Sequence, residues 1–244
     1  MKNTHTMTTP LSPEHIHPSL WRASQVLSTS GLGLETGFPL LSAQLPGQGW
    51  PLGSLIDFAL QQPGIGELQL LKPALLQKQK LPIALINPPL IPNIIAWQQW
   101  GANPAQLYSI KTCYLADALW ACEKALKQGC FGAVLLWQEH IHSAALRRLH
   151  LAAQHHDALF VIMRPLQSAI QHSPAPLRLQ LKPQAKGLSL QIIKRLGKPL
   201  DSPVFIPLYL NTRHEHALLD QHKTSTPAAG RPQSELAYTG HRHH

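Results

Sequence analysis

Gly49-Trp50-Pro51-Leu52-Gly53-Ser54-Leu55-Ile56-Asp57-Phe58, followed by Gly64-Ile65-Gly66-Glu67-Leu68, decides how this chain is read. A glycine-bounded turn runs into an apolar strand, then a glycine-bearing loop, then a helix. That order is the entry to a nucleotide-binding α/β fold. In a working phosphate loop the second glycine is followed by Lys and then Ser or Thr; the lysine reaches the phosphates and the hydroxyl holds Mg²⁺. Here Glu67 and Leu68 stand in those two places, and Gln61 stands where the first glycine belongs. A carboxylate about 4 Å from a phosphate is repelled by roughly 4 kcal/mol per charge pair at an effective dielectric near 20. The lysine's attraction is forfeited as well. The architecture is kept and the phosphate grip is gone, although the backbone amides near Gly64 and Gly66 still offer themselves to an anion.

Outward from this stretch the chain alternates strands and helices. Apolar strands are expected at Ser54 to Ala59, Ile83 to Ile86, Leu107 to Ile110, Ala133 to Trp137 and Ala158 to Met163. Helices are expected after Gly66, from Ile91 to Trp100, from Leu115 to Gln128 with Gly129 as its stop, and from a Ser143 cap to about His155. This spacing predicts a mostly parallel sheet with helices on both faces, a three-layer α/β core. After Arg164-Pro165 the pattern changes. Leu177, Leu179 and Leu181 alternate with Arg178, Gln180 and Lys182, and Leu188, Leu190 and Ile192 follow in the same rhythm. That reads as a β-hairpin over about 177–195 with one apolar and one basic-to-polar face. Residues 1–16 and the His-rich stretch 211–244 read as flexible tails around a domain spanning 17–210.

Composition narrows the function. The chain has 44% hydrophobic and only 14% charged residues over 244 positions, ample for one buried core. Three cysteines give neither a disulfide framework nor metal-ligand spacing, and fifteen histidines form no zinc motif. No metal or cofactor is expected. With no apolar leader and no run long enough to span a bilayer, the expected location is the cytoplasm. The net charge is +9, and the basic residues Arg147, Arg148, Arg164, Arg178, Lys182, Lys186, Lys194, Arg195 and Lys198 face only Asp157 in their part of the chain. Arg147 and Arg148 on a helix, with Lys182, Lys194 and Arg195 on the hairpin, form the candidate polyanion surface. Stacking aromatics are missing from that region, so any DNA contact is expected to be weak or indirect and an acidic protein partner fits as well. Among six tryptophans, Trp50 and Trp137 are the two expected to fill the vacant nucleotide crevice.

Thr29-Ser30-Gly31-Leu32, Gly37-Phe38 and Gly49-Trp50-Pro51-Leu52-Gly53 resemble the opening of the RecA-type recombinase core. His17-Pro18-Ser19-Leu20-Trp21-Arg22, Ala116-Asp117-Ala118-Leu119-Trp120 and Lys194-Arg195-Leu196-Gly197 are similar to the ImuA family, RecA-like accessory proteins of SOS-induced translesion synthesis. Phe160-Val161-Ile162-Met163-Arg164-Pro165 is shared with the related SulA type of division inhibitor. The resemblance covers roughly residues 17 to 200. It implies a RecA-like core and a scaffold role, with RecA, a Y-family polymerase-like subunit and an error-prone replicative-type polymerase as partners. Carried over by position, the water-activating carboxylate falls at Pro89 and the Mg²⁺-holding acid at Trp137. With Glu67 and Leu68 these departures leave no ATPase mechanism, since proline neither accepts a proton nor orients water. The alternative implied by the same likeness is a SulA-like inhibitor of the tubulin-like division GTPase. A third reading, an ATPase of unusual type, requires nucleotide binding.

Overall fold

A computed structural model describes residues 33–197 and 202–208 of the chain. Its centre is a single eight-stranded sheet: β1 (Ser54–Leu60), β2 (Ile83–Ile86), β3 (Leu107–Ile110), β4 (Ala133–Trp137), β5 (Leu159–Pro165), β6 (Leu177–Gln184), β7 (Gly187–Lys194) and β8 (Val204–Pro207). They lie in the order β3-β2-β4-β5-β1-β6-β7-β8. The first six in that order run parallel, and β7 and β8 return antiparallel. Strands β2 and β4 are buried at every residue. Only near-continuous apolar runs tolerate burial on both faces, which is why Ile83-Ala84-Leu85-Ile86 and Ala133-Val134-Leu135-Leu136-Trp137 sit inside a parallel sheet.

The helices are α1 (Pro39–Ser42), α2 (Glu67–Lys78), α3 (Ile94–Gln99), α4 (Leu115–Gln128) and α5 (Ser143–Ala153). Leu41 of α1, Leu70, Leu71, Ala74 and Leu75 of α2 and Trp97 of α3 pack on one face of the sheet, together with Trp50 and the apolar face of the β6–β7 hairpin. Ala118, Cys122, Ala125 and Leu126 of α4, with Leu146, Leu149, Ala152 and Ala153 of α5, cover the other face. The result is the three-layer α/β core that the element order implies. Helix α4 stops at Gly129, whose φ of 65° is the left-handed conformation glycine supplies at a helix end. A Cβ there would stand 2.6 Å from the His156 ring. Cys122 is fully buried under α4, and burial pushes its thiol far above the ordinary value.

Several sequence expectations shift. Helix α3 begins at Ile94, because the Asn93 side chain accepts from the Ile95 and Ala96 amides at 3.0 and 3.2 Å. Ser143 is the first helical residue and does not cap α5, which ends at Ala153. The hairpin is no appendage: β6 pairs in parallel with β1, so the hairpin continues the main sheet. Strand β8 was not expected; Val204-Phe205-Ile206 pairs with the solvent-side edge of the hairpin. The expectations for residues 1–16, for His17 to Arg22, for Thr29 to Leu32, for Lys198 and for 211–244 lie outside the described residues.

Candidate functional site

The loop from β1 to α2 carries the features that a phosphate loop would use. Gly66 has a φ of 113° and turns its amide towards the loop's interior. It sits where a Cβ would meet Leu208 Cδ1 at 2.6 Å, so the residue just after β8 closes over the start of α2. Glu67, the first helical residue, is 3% exposed. Its side chain folds back over its own loop: Oε1 accepts from the Gly64 amide at 2.8 Å, and Oε2 accepts from Gly64 at 3.1 Å and from Gly66 at 3.2 Å. The amides that an incoming phosphate would need are taken by the chain's own carboxylate. The positive end of the α2 dipole and charge-assisted hydrogen bonds both favour an anion there. This corrects the expectation of free amides: Glu67 itself engages the Gly64 and Gly66 N–H groups.

The other degenerate positions divide into two groups. Gln61, Pro89 and Trp137 meet around a crevice of about 610 Å³ at the carboxyl ends of β1, β2, β4 and β5, whose walls also include Asn87, Lys111, Gln138 and Arg164. Leu68 stands apart, half-buried against the core. Trp137 is only 7% exposed and forms a wall of the crevice, and its indole N–H has no partner among the described residues. Trp50 does not reach it. That side chain is fully buried before β1, 5.7 Å from the Phe58 ring, with its backbone bridged to Leu34. The two tryptophans therefore do not jointly fill the crevice, which stays open and is lined by both polar and apolar side chains. No carboxylate stands at the Pro89 or Trp137 positions, although Glu139 lies on the rim.

Two of the basic residues counted towards the surface charge are internal. Arg164 donates from Nε to Asp57 Oδ1 at 3.1 Å and from Nη2 to Oδ2 at 2.6 Å, and Arg178 donates from Nε to Oδ2 at 3.1 Å. All three are below a tenth exposed. Arg178 also donates to the Ser168 carbonyl at 2.9 Å, and Arg164 to Gln171 Oε1 at 3.3 Å. Asp57, in the middle of β1, thus ties β5, β6 and the 3-10 turn Leu166–Ile170 together. The sequence carries a signal for this, an aspartate inside an apolar strand, but nothing along the chain names its partners.

The proposed polyanion surface is also redistributed. Arg148 turns to Glu123 at 2.9 Å, and Glu123 also accepts from Lys127 at 2.7 Å. Arg195 bonds to the Gln44 carbonyl. Lys182 lies on the exposed part of β6, opposite Ser189, whereas Lys194 lies opposite Arg178 near the other end of the strand pair. Only Arg147 and Lys194 come together, across a groove between α5 and residues 172–174. His150 lines the same groove, and its Nδ1 accepts from the Leu55 amide at 3.2 Å.

Burial, and secondarily Lys194, holds the His150 imidazole below its ordinary value of 6.5. The neutral ring is therefore the folded form, and the unfolded chain binds a proton more readily. Its contribution to stability is full above pH 6.5, declines as pH falls below that value, and levels off once the depressed folded value is passed. Replacing His150 with Gln is expected to flatten that part of the stability curve; urea titrations of both proteins between neutral and mildly acid pH read it directly.

The strand order and the hairpin that extends it define a mixed α/β core with a mostly parallel sheet, in which the Glu67 carboxylate engages the amides of the loop after β1. A scan of family models gives no match, and a search of curated proteins gives none either. Among solved structures the chain is similar to the crystal structure of SulA from Pseudomonas aeruginosa, at 25% sequence identity and a TM-score of 0.38, over 45% of this chain and 97% of that one. No described helix is long and apolar enough to cross a membrane.

Proposed function

We propose that this protein is a non-catalytic, RecA-like accessory protein of SOS-induced translesion DNA synthesis, acting as a scaffold. The observation that carries its non-catalytic character is the Glu67 carboxylate seated on the Gly64 and Gly66 amides. With that seat filled, a nucleotide must displace a buried charge before it binds, and Pro89 and Trp137 then offer it neither a base nor a metal ligand. The core holds its shape with no nucleotide to load or discharge, which suits a protein that works by contact. The partners come from the sequence likeness to the ImuA family: RecA, a Y-family polymerase-like subunit and an error-prone replicative-type polymerase.

Two measurements test this. Fluorescent ATP titrated onto the purified chain with Mg²⁺ is expected to give no saturable signal; saturable binding with phosphate release would make it an enzyme. An affinity pull-down from DNA-damaged cells is expected to recover RecA with translesion polymerase subunits. Recovery of the division GTPase without polymerases would replace the scaffold reading with division inhibition.

A further inference from the structure

The groove between α5 and residues 172–174 has the chemistry of a docking site that the degenerate nucleotide crevice does not share. It encloses about 740 Å³ and is lined from one side by Ser143, Arg147, His150 and Leu151 of α5, and from the other by His172, Pro174 and Lys194. Arg147 is exposed and makes no ion pair among the described residues, in contrast to Arg148 beside it. Lys194 is held over the groove by its bond to the Ser173 carbonyl at 3.3 Å. His150 accepts at Nδ1, so in the neutral ring the proton sits on Nε2. Among the described residues no carboxylate lines the groove; Asp157 lines the adjoining hollow, which shares His150 and Gln154. The same lining offers apolar surface, Pro174 and a Leu151 that is 55% exposed.

We infer that this groove binds an acidic peptide segment of a protein partner, with carboxylates on Arg147 and Lys194 and an apolar side chain between them on Leu151 and Pro174. Nucleic acid fits less well. Backbone binding needs a run of cations along the strand, and base binding needs aromatic platforms. Here there are two full charges and no Phe, Tyr or Trp in the lining. A partner segment richer in acids complements the groove better than the chain's own undescribed stretches, where Glu14, Asp201, Glu215, Asp220 and Glu235 are scattered among histidines and basic residues. The inference rests on the scaffold reading in one respect, that the protein works by contact. It is tested with purified components and no RecA or polymerase, so its failure and that of the pathway assignment are separable.

The probe is a fluorescein-labelled peptide in which Glu and Asp flank Leu, compared with its Gln and Asn counterpart and with labelled oligothymidine, by anisotropy on the full chain. Arg147→Ala, Lys194→Ala and Arg148→Ala each remove one positive charge, so general attraction falls equally in all three. Losing a charge-assisted hydrogen bond weakens binding by about tenfold or more. The expected result is that loss for Arg147→Ala and Lys194→Ala, little change for Arg148→Ala, and no binding of the amide peptide. Circular dichroism melts of each variant confirm that it is folded. Equal losses in all three variants, no binding of the acidic peptide, or oligothymidine binding more tightly with the same dependence would each overturn the assignment, the last in favour of nucleic acid.

Discussion

Replacing Glu67 with alanine is expected to lower the thermal midpoint by about 4–12 °C, and added phosphate or sulfate is expected to restore part of that loss in the variant alone. The buried carboxylate satisfies the Gly64 and Gly66 amides and sits at the positive end of α2. Charge-assisted hydrogen bonds contribute about 1.5–3 kcal/mol net, and a partly buried anion at a helix N-terminus up to about 2 kcal/mol. These overlap, because the same oxygens serve both, so a total near 2–3 kcal/mol is expected. At about 2–4 °C per kcal/mol for a domain of this size, the shift is well outside experimental error. The rescue is the sharper readout. Without Glu67 the two amides and the helix dipole form an empty anion seat, and a small oxyanion fits it. Sulfate stabilises most proteins by exclusion, so the comparison is the difference between variant and parent at matched ionic strength. An equal response in both proteins would mean that the loop is not an anion seat. Glu67→Lys is expected to destabilise further, by placing a cation against N–H donors, and to leave ATP hydrolysis absent because Pro89 and Trp137 are unchanged.

Replacing Asp57 with asparagine is expected to cost more, about 3–5 kcal/mol, which is between a fifth and the whole of the roughly 5–15 kcal/mol by which domains are stable. Asp57 is the one acid that Arg164 and Arg178 share, and the side chains of both arginines are almost wholly withdrawn from water. Removing the negative charge leaves two cations in the interior without compensation. The attraction within such a cluster barely offsets the desolvation of its members, so the cluster is worth less than its loss costs. That asymmetry gives a second measurement. A triple variant, Asp57→Leu with Arg164→Met and Arg178→Leu, is expected to recover most of the stability that Asp57→Asn loses, read by urea denaturation. A triple variant as unstable as the single would show that the hydrogen bonds to Ser168 and Gln171, and not the charge balance, hold this part of the sheet.

Most of the sheet was legible because its strands are written as unbroken apolar runs, which burial on both faces requires. The long helix Leu115–Gln128 was legible to the residue, since one apolar stripe and a terminal glycine state both its face and its end. Strand β8 was not, because a short edge strand gets its identity from the hairpin it pairs with and only weakly from its own residues. The sequence pointed to Gln61, Pro89 and Trp137, which do line one crevice, but Trp50 was misplaced: an aromatic beside a glycine turn reads the same whether it faces the crevice or the core.

By itself the sequence determined the layer architecture and placed Glu67 and Leu68 at the start of the helix after β1, because both depend on which residue types follow one another along the chain. Tertiary structure alone decided what became of the charges. Glu67 turns inward onto amides, Arg164 and Arg178 are drawn to Asp57, Arg148 is paired with Glu123, and Arg147 meets Lys194 across a groove. A charge has no periodicity that fixes its partner. Its energy depends on separation and burial, and only the folded chain sets those.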